Sequence, residues 1–256
     1  MSAVHLKITG PIAVLTLDNA PKLNALTPDM LCALESHCDA LDQNADVRVI
    51  LLTADHPKAF CVGADITAWA DLPAAQFARS WVRGGHRIFD RLARLCKPTI
   101  AVLNGHAFGG GLELAAACDL RVMAPNARIA LPEASVGIVP GWSGTQRLHR
   151  LLPEPVLKEM VLFGRQLGAD RAQQLGFVAE VSEDPMAVAL TIAESTAQLS
   201  PRATEISKYM IHAGAGEDSA ALIETMGGGL IADTDDKAEG VAAFVAKRKP
   251  DFSGQS

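Results

Sequence analysis

Several signatures are missing from this chain, and each absence removes a class of function. The five cysteines (Cys32, Cys38, Cys61, Cys96 and Cys118) form neither a C-x-x-C pair nor a Cys/His spacing suited to zinc. We read them as reduced thiols, with no metal site. A surplus of positive charge is missing too. The 23 Lys and Arg stand against 29 Asp and Glu, a formal net charge of -6, which argues against a nucleic-acid or membrane-surface binder because phosphate neutralisation needs a basic face. No apolar stretch is long and unbroken enough to span a bilayer. The N-terminus reads as strand rather than as a signal or transit peptide, so the expectation is a cytoplasmic protein. Gly105, Gly109, Gly110 and Gly111 do not make G-x-G-x-x-G, no Gly-Lys-Ser/Thr follows them, and Gly141-Trp142-Ser143-Gly144 is not a G-x-S-x-G elbow. Dinucleotide binding, a Walker phosphate loop and serine hydrolysis are therefore disfavoured.

What is present is enough apolar sequence to bury a large core: 49% of 256 residues. Val4 to Thr9 and Pro11 to Leu17 read as a hairpin around Gly10. Thr27-Pro28 reads as an N-cap and N1 proline for a helix to about Leu41. Val47 to Thr53 has the continuous apolar character of a strand buried on both faces. A helix over about Pro73 to Leu95, a strand over Pro98 to Leu103, a Gly-rich turn, a helix from about Gly111 and a strand over Leu120 to Met123 follow. This alternation predicts an α/β fold with mostly parallel strands. From Pro185 the chain reads as helices, over Met186 to Leu199, Pro201 to Ala213 and Lys237 to Lys247. The last has apolar positions that need a partner. We divide the chain into a core over 1–195 and a helical appendage or oligomerisation segment over 196–256.

Three segments hold the candidate chemistry: Lys58 to Ile66, Asn104 to Leu114 and Leu131 to Arg147. The first two place small residues after a predicted strand. A ligand can there approach backbone N–H groups preorganised for developing negative charge. Taken alone, the Gly-Gly-Gly run reads better as a tight strand-to-helix turn. Glu113 falls in the first turn of its helix, where it either stabilises the N-terminus or acts chemically. Glu133 follows Pro132 among apolar residues, where desolvation raises a carboxylate's pKa toward that of a usable acid; the alternative is a solvated loop carboxylate. Two such glutamates beside Gly-rich turns make an acid/base pair the better reading. Asp65 caps the following helix or contacts a ligand, and His106 and His149 read as structural or surface residues.

Together with Pro21-Lys-Leu-Asn-Ala-Leu26, Phe60 to Asp65, Pro140 to Leu148 and Ala243 to Pro250, these segments resemble the enoyl-CoA hydratase/isomerase, or crotonase, family over nearly the whole chain. The resemblance implies a spiral of β-β-α repeats with a C-terminal helical region that drives assembly as a trimer or a dimer of trimers. It implies an oxyanion hole from the N–H groups of Ala64 and Gly110 for the thioester oxygen of an acyl-CoA substrate. Coenzyme A, part of the substrate rather than a separate cofactor, would lie against Leu23 to Ala25 and Val62 to Thr67, including Asp65 and Ile66. Gly141 and Trp142 would border the acyl group, and Phe244 and Lys247 would contact the nucleotide end from a neighbouring subunit. For Phe244 and Lys247 the alternatives are a core aromatic and a solvated charge.

Within the family, the presence of both Glu113 and Glu133 looks like a hydratase, with Glu113 mainly activating water and Glu133 mainly handling the α-proton. The rival readings are another crotonase reaction (double-bond isomerisation, thioester hydrolysis or C–C cleavage) and an RNA-binding or non-catalytic relative, against which the acidic balance counts. The chain departs from the family pattern at four places. Val62 and Trp142 stand where small residues are common, Thr67 replaces a frequent lysine that touches phosphate, and Gly227 to Gly229 interrupt a helix, so a kink or a widened pocket is expected there.

Overall fold

The computed structural model describes residues 2–254. Its strands are β1 (Ala3–Thr9), β2 (Ile12–Asp18), β3 (Val49–Ala54), β4 (Ala59–Cys61), β5 (Thr99–Leu103), β6 (His106–Phe108), β7 (Leu120–Met123), β8 (Arg128–Ala130), β9 (Leu167–Gly168) and β10 (Glu180–Val181). Six make one sheet in the order β1-β2-β3-β5-β7-β10, and four make another in the order β4-β6-β8-β9. The hairpin pairs β1 with β2 antiparallel, from Thr9 opposite Ile12 to Ala3 opposite Asp18. The rest of the larger sheet is parallel, as are β4, β6 and β8.

Helix α1 (Pro28–Gln43) begins as the sequence predicts. Thr27 is extended and its hydroxyl accepts the Met30 N–H at 3.3 Å, with proline next in line where no N–H is needed. The predicted helix over 73–95 is helical but not uniform. A short α2 (Ala74–Gln76) runs through a π turn at Phe77–Val82 into α3 (Arg83–Ala93). A π turn carries an extra residue per turn, which re-aims the side chains it contains.

Strand β3 shows why a buried parallel strand loses its polar alternation. Ile50 and Leu52 enter the main core beneath α1 and α3, while Val49 and Leu51 enter a second apolar layer with Ile12, Ile100, Val102 and Val122. That layer is covered by α8 (Pro185–Thr196), whose Ala189 and Ala193 let the helix lie close to the sheet. Between β6 and α8 run α4 (Gly110–Ala116), α5 (Gly144–Leu151), α6 (Glu154–Phe163) and α7 (Ala169–Gln174). The short strands of the smaller sheet have no counterpart in the sequence reading.

The chain forms two compact units, Met1–Glu205 and Ile206–Ser256, divided inside α9 (Pro201–Gly214). The second unit continues with α10 (Ser219–Ala232) and α11 (Asp235–Val245). It keeps large apolar side chains in solvent: Ile211, Leu230 and Val245 are exposed, and Phe244 is 86% exposed. The expected interruption at Gly227 to Gly229 does not occur, because α10 runs unbroken through all three. Helical glycine lowers stability by roughly 1 kcal/mol per residue without removing the backbone hydrogen bond that propagates the helix.

Candidate active site

Three adjacent parallel strands, β4, β6 and β8, end side by side, and the chain leaving each one contributes to a single cavity. The carboxyl edge of a parallel sheet is where α/β proteins place ligands, because the turns there are free of the ladder. After β4 come Val62, Gly63 and Ala64; after β6, Gly109 and α4; after β8, Pro132 and Glu133.

The first two turns abut. Gly63 has φ +111° and Gly109 φ +52°, conformations that side chains disfavour. A Cβ on Gly63 would sit 3.5 Å from the Gly110 nitrogen, and one on Gly110 would sit 3.6 Å from the Ala64 nitrogen. Gly110 opens α4, so its N–H has no intrahelical partner. Among the described residues neither the Ala64 nor the Gly110 N–H meets an acceptor, and both residues line the cavity. Two N–H donors beside one void form a receptor for a carbonyl oxygen that gains negative charge.

Glu113, one turn into α4, is 3% exposed. Its Oε1 accepts the N–H groups of Trp142 at 2.8 Å and Gly144 at 2.7 Å, both from the segment that starts α5. Burial pushes its pKa up, against the pull of those two N–H groups and of the Arg147 guanidinium. Glu133 opens a short 3-10 turn, Glu133–Val136, and is 7% exposed. Its Oε2 has no hydrogen-bond partner. Burial, reinforced by the charge of Glu113, pushes Glu133 up to about 7. Two carboxyl groups facing one cavity can deliver a proton and remove one in the same turnover when one is protonated and the other ionised.

The cavity measures about 150 Å³. Of the residues the sequence singled out, Val62, Ala64, Ile66, Gly110, Glu113, Glu133, Gly141 and Trp142 line it. Leu23, Ala25, Asp65 and Thr67 are not part of that lining. The 23–25 turn lies alongside it, with Val62 N–H donating to Leu23 O at 3.3 Å and Leu26 N–H to Gly63 O at 2.8 Å. Asp65 is engaged internally. Its Oδ1 caps the next turn by accepting the Thr67 N–H at 3.2 Å, and its Oδ2 takes Lys22 Nζ at 2.7 Å. The hydrogen bond from Lys22 leads the causes that hold its pKa low. Lys22 Nζ also lies 3.3 Å from the Thr67 hydroxyl, so a lysine charge does stand where Thr67 lacks one. His106 accepts the Arg128 N–H at 3.1 Å and stacks on Phe108, a structural role. Phe244 and Lys247 belong to the second unit.

Sequence reasoning missed Trp69, Phe77, Trp81 and Val82 in the cavity wall. Phe77, Trp81 and Val82 lie on the π turn, for which no periodicity signal exists. One signal was available: the chain has three tryptophans, and all three border the cavity.

The family described as enoyl-CoA hydratase/isomerase matches residues 7–255. A short-chain-enoyl-CoA hydratase of Clostridium acetobutylicum is 34% identical over 253 residues, covering 97% of each chain. An (E)-benzylidenesuccinyl-CoA hydratase of Thauera aromatica is 34% identical over 256 residues, covering 98% of this chain and 99% of its own. The crystal structure of an enoyl-CoA hydratase from Bacillus anthracis superposes with a TM-score of 0.80 at 32% identity, over 98% of this chain and 99% of that one.

Proposed function

The chain belongs to the enoyl-CoA hydratase/isomerase family and is an enzyme of that family, and from that premise we propose that it adds water reversibly to a trans-2-enoyl-CoA, giving a 3-hydroxyacyl-CoA. The observation that carries this reading is the pair of buried glutamates, Glu113 and Glu133, facing one cavity beside two unpaired N–H groups.

In the proposed reaction the thioester oxygen accepts from the N–H groups of Ala64 and Gly110. Charge that moves onto that oxygen as the double bond is attacked is stabilised there; losing one such donor raises the barrier by roughly 3 to 4 kcal/mol. Water sits between the carboxyl groups. Glu113 acts in its ionised form, with Oε1 fixed by two N–H groups, and takes the water proton as hydroxyl bonds to the β-carbon. Glu133 is protonated and delivers its proton to the α-carbon. After addition Glu113 holds the proton and Glu133 is ionised, so the reverse elimination uses the same total protonation. The coenzyme A portion lies along Leu23 to Ala25 and Asp65 to Thr67, where Lys22 supplies positive charge. Isomerisation, thioester hydrolysis and C–C cleavage would use the same N–H pair, but the second carboxylate beside the first is what water addition needs.

The same proposal includes self-association through the second unit, as a trimer or a dimer of trimers, with Phe244 and Lys247 reaching a neighbouring subunit's nucleotide. The exposed apolar side chains of α9 to α11 support an interface there. Purified protein given crotonyl-CoA should lose enoyl absorbance and yield 3-hydroxybutyryl-CoA. The absence of turnover across a series of acyl lengths would sink the hydratase reading, and a free thiol or a shifted double bond among the products would replace it with hydrolysis or isomerisation.

A further inference from the structure

One side chain forms the boundary between the cavity and the core. Trp142 lines the cavity, yet it is 3% exposed and belongs to the main apolar cluster. Its indole fills the space between α3 and the start of α4. A Cβ on Gly85 would lie 2.2 Å from its Nε1, and one on Gly110 would lie 2.9 Å from its six-membered ring. Both helices therefore meet the ring through bare glycine backbone. The rings of Trp81 and Phe89 hold it from the remaining sides, with centroids 5.2 and 5.1 Å away at tilted and edge-on angles. Its Nε1 donates to the Trp81 carbonyl at 3.2 Å, tying the wall to the π turn. Its backbone N–H meanwhile holds Glu113, so the wall stands directly beside the reacting carboxylate.

The cavity this wall borders is about 150 Å³ and also holds the reacting groups; that volume in an apolar engineered cavity accommodates benzene, or about six carbon atoms. We infer that Trp142 closes the acyl end of the site and limits the enzyme to acyl groups of about six carbons or fewer. This inference rests on the acyl-CoA reading of the cavity. Longer chains must either displace an indole locked on four sides or leave methylenes in water. Each methylene misfit in an apolar pocket is a tenfold effect or more on discrimination.

The test is kcat/KM on trans-2-enoyl-CoAs of four, six, eight, ten and twelve carbons for the wild type, Trp142→Ala and Trp142→Phe, with calorimetric binding of saturated butyryl-, hexanoyl- and decanoyl-CoA to the wild type. The wild type should lose at least about tenfold between six and ten carbons in both turnover and binding, and Trp142→Ala should raise the ten-to-four-carbon ratio by about tenfold or more. Trp142→Phe keeps a ring in the cluster and should shift the ratio in the same direction by less; it serves if the alanine variant does not fold. A wild type that handles ten carbons as well as four, or a ratio unmoved by both variants, overturns the inference. Failure to hydrate any length while the binding series still falls off after six carbons overturns the hydratase reading and supports the inference. A flat binding series with hydration intact does the reverse.

Discussion

The segment from Gly109 to Glu113 and the segment from Pro132 to Val136 each bring a glutamate to the same cavity, but they hold it differently. Glu113 stands on a helix and has one oxygen saturated by two backbone N–H groups. Glu133 stands on a single 3-10 turn and keeps a buried oxygen without a partner. Hydrogen bonds to a carboxylate favour its ionised form, and unrelieved burial favours the neutral one. Burial raises both pKa values, and only at Glu113 do two N–H groups from another segment oppose it; the proposed division, Glu113 as base and Glu133 as acid, follows that difference in support. One cavity holds two carboxyl groups of one residue type in two different hydrogen-bonding environments.

Removing either member should have the largest effect. Glu113→Gln and Glu133→Gln should each lower kcat/KM by roughly 10² to 10⁴. Because the two act on one bond-making event, the double variant should be far less impaired than the product of the single losses; multiplicative losses in steady-state kinetics would show that the glutamates work independently. Gly144→Ala probes the clamp without removing a carboxyl group. Its Cβ would come within 2.7 Å of Glu113 Oε1, and a displacement of the base near 1 Å should lower kcat by about 100-fold. Near-wild-type kcat in that variant would mean that the clamp is not what aims Glu113.

Stability should report how each carboxyl group is held. Glu113→Ala strands two buried N–H groups and should lower unfolding free energy by about 2 to 4 kcal/mol in denaturant titrations. Glu133 titrates at about 7 in the folded protein, above an ordinary glutamate. It therefore weakens the fold as pH rises from the ordinary glutamate range through 7 and has no such effect below that range. Glu133→Gln should accordingly stabilise the protein at pH 8 by about 1 to 3 kcal/mol, with the gain vanishing toward pH 4. A Glu113→Ala variant as stable as the wild type would show that the Trp142 and Gly144 N–H groups do not depend on that carboxylate. The smallest effect expected is in the pH profile. Addition and elimination use the same singly protonated pair, so kcat/KM in both directions should fall above a pH of about 7, and Glu133→Gln should abolish that limb in its residual rate.

Much of this arrangement can be read from local sequence, and the unread part has a definite character. Thr27-Pro28 announces a helix start because the capping chemistry is contained in two adjacent residues. The apolar run of β3 and the glycines before Glu113 are equally local. By contrast, β4, β6 and β8 are three residues each, too short to show a period of two, and their side-by-side endings are what bring residues 63–64, 109–113 and 133 together. The π turn at Phe77–Val82 looks helical in sequence, so the arrival of Trp81 at Trp142 is invisible there. The three glycines of α10 mislead in the opposite direction, since a helix tolerates them when its hydrogen bonds are otherwise intact. What local chemistry specifies is legible; what depends on two distant segments arriving at one place is not.

In the proposed reaction Glu133 delivers the α-proton while Glu113 handles water, and exchange at the α-carbon tests that division most directly. With 3-hydroxybutyryl-CoA in D₂O, the wild type should place deuterium at C2 and Glu133→Gln should slow this by at least about 100-fold. Exchange at the wild-type rate in Glu133→Gln would contradict it.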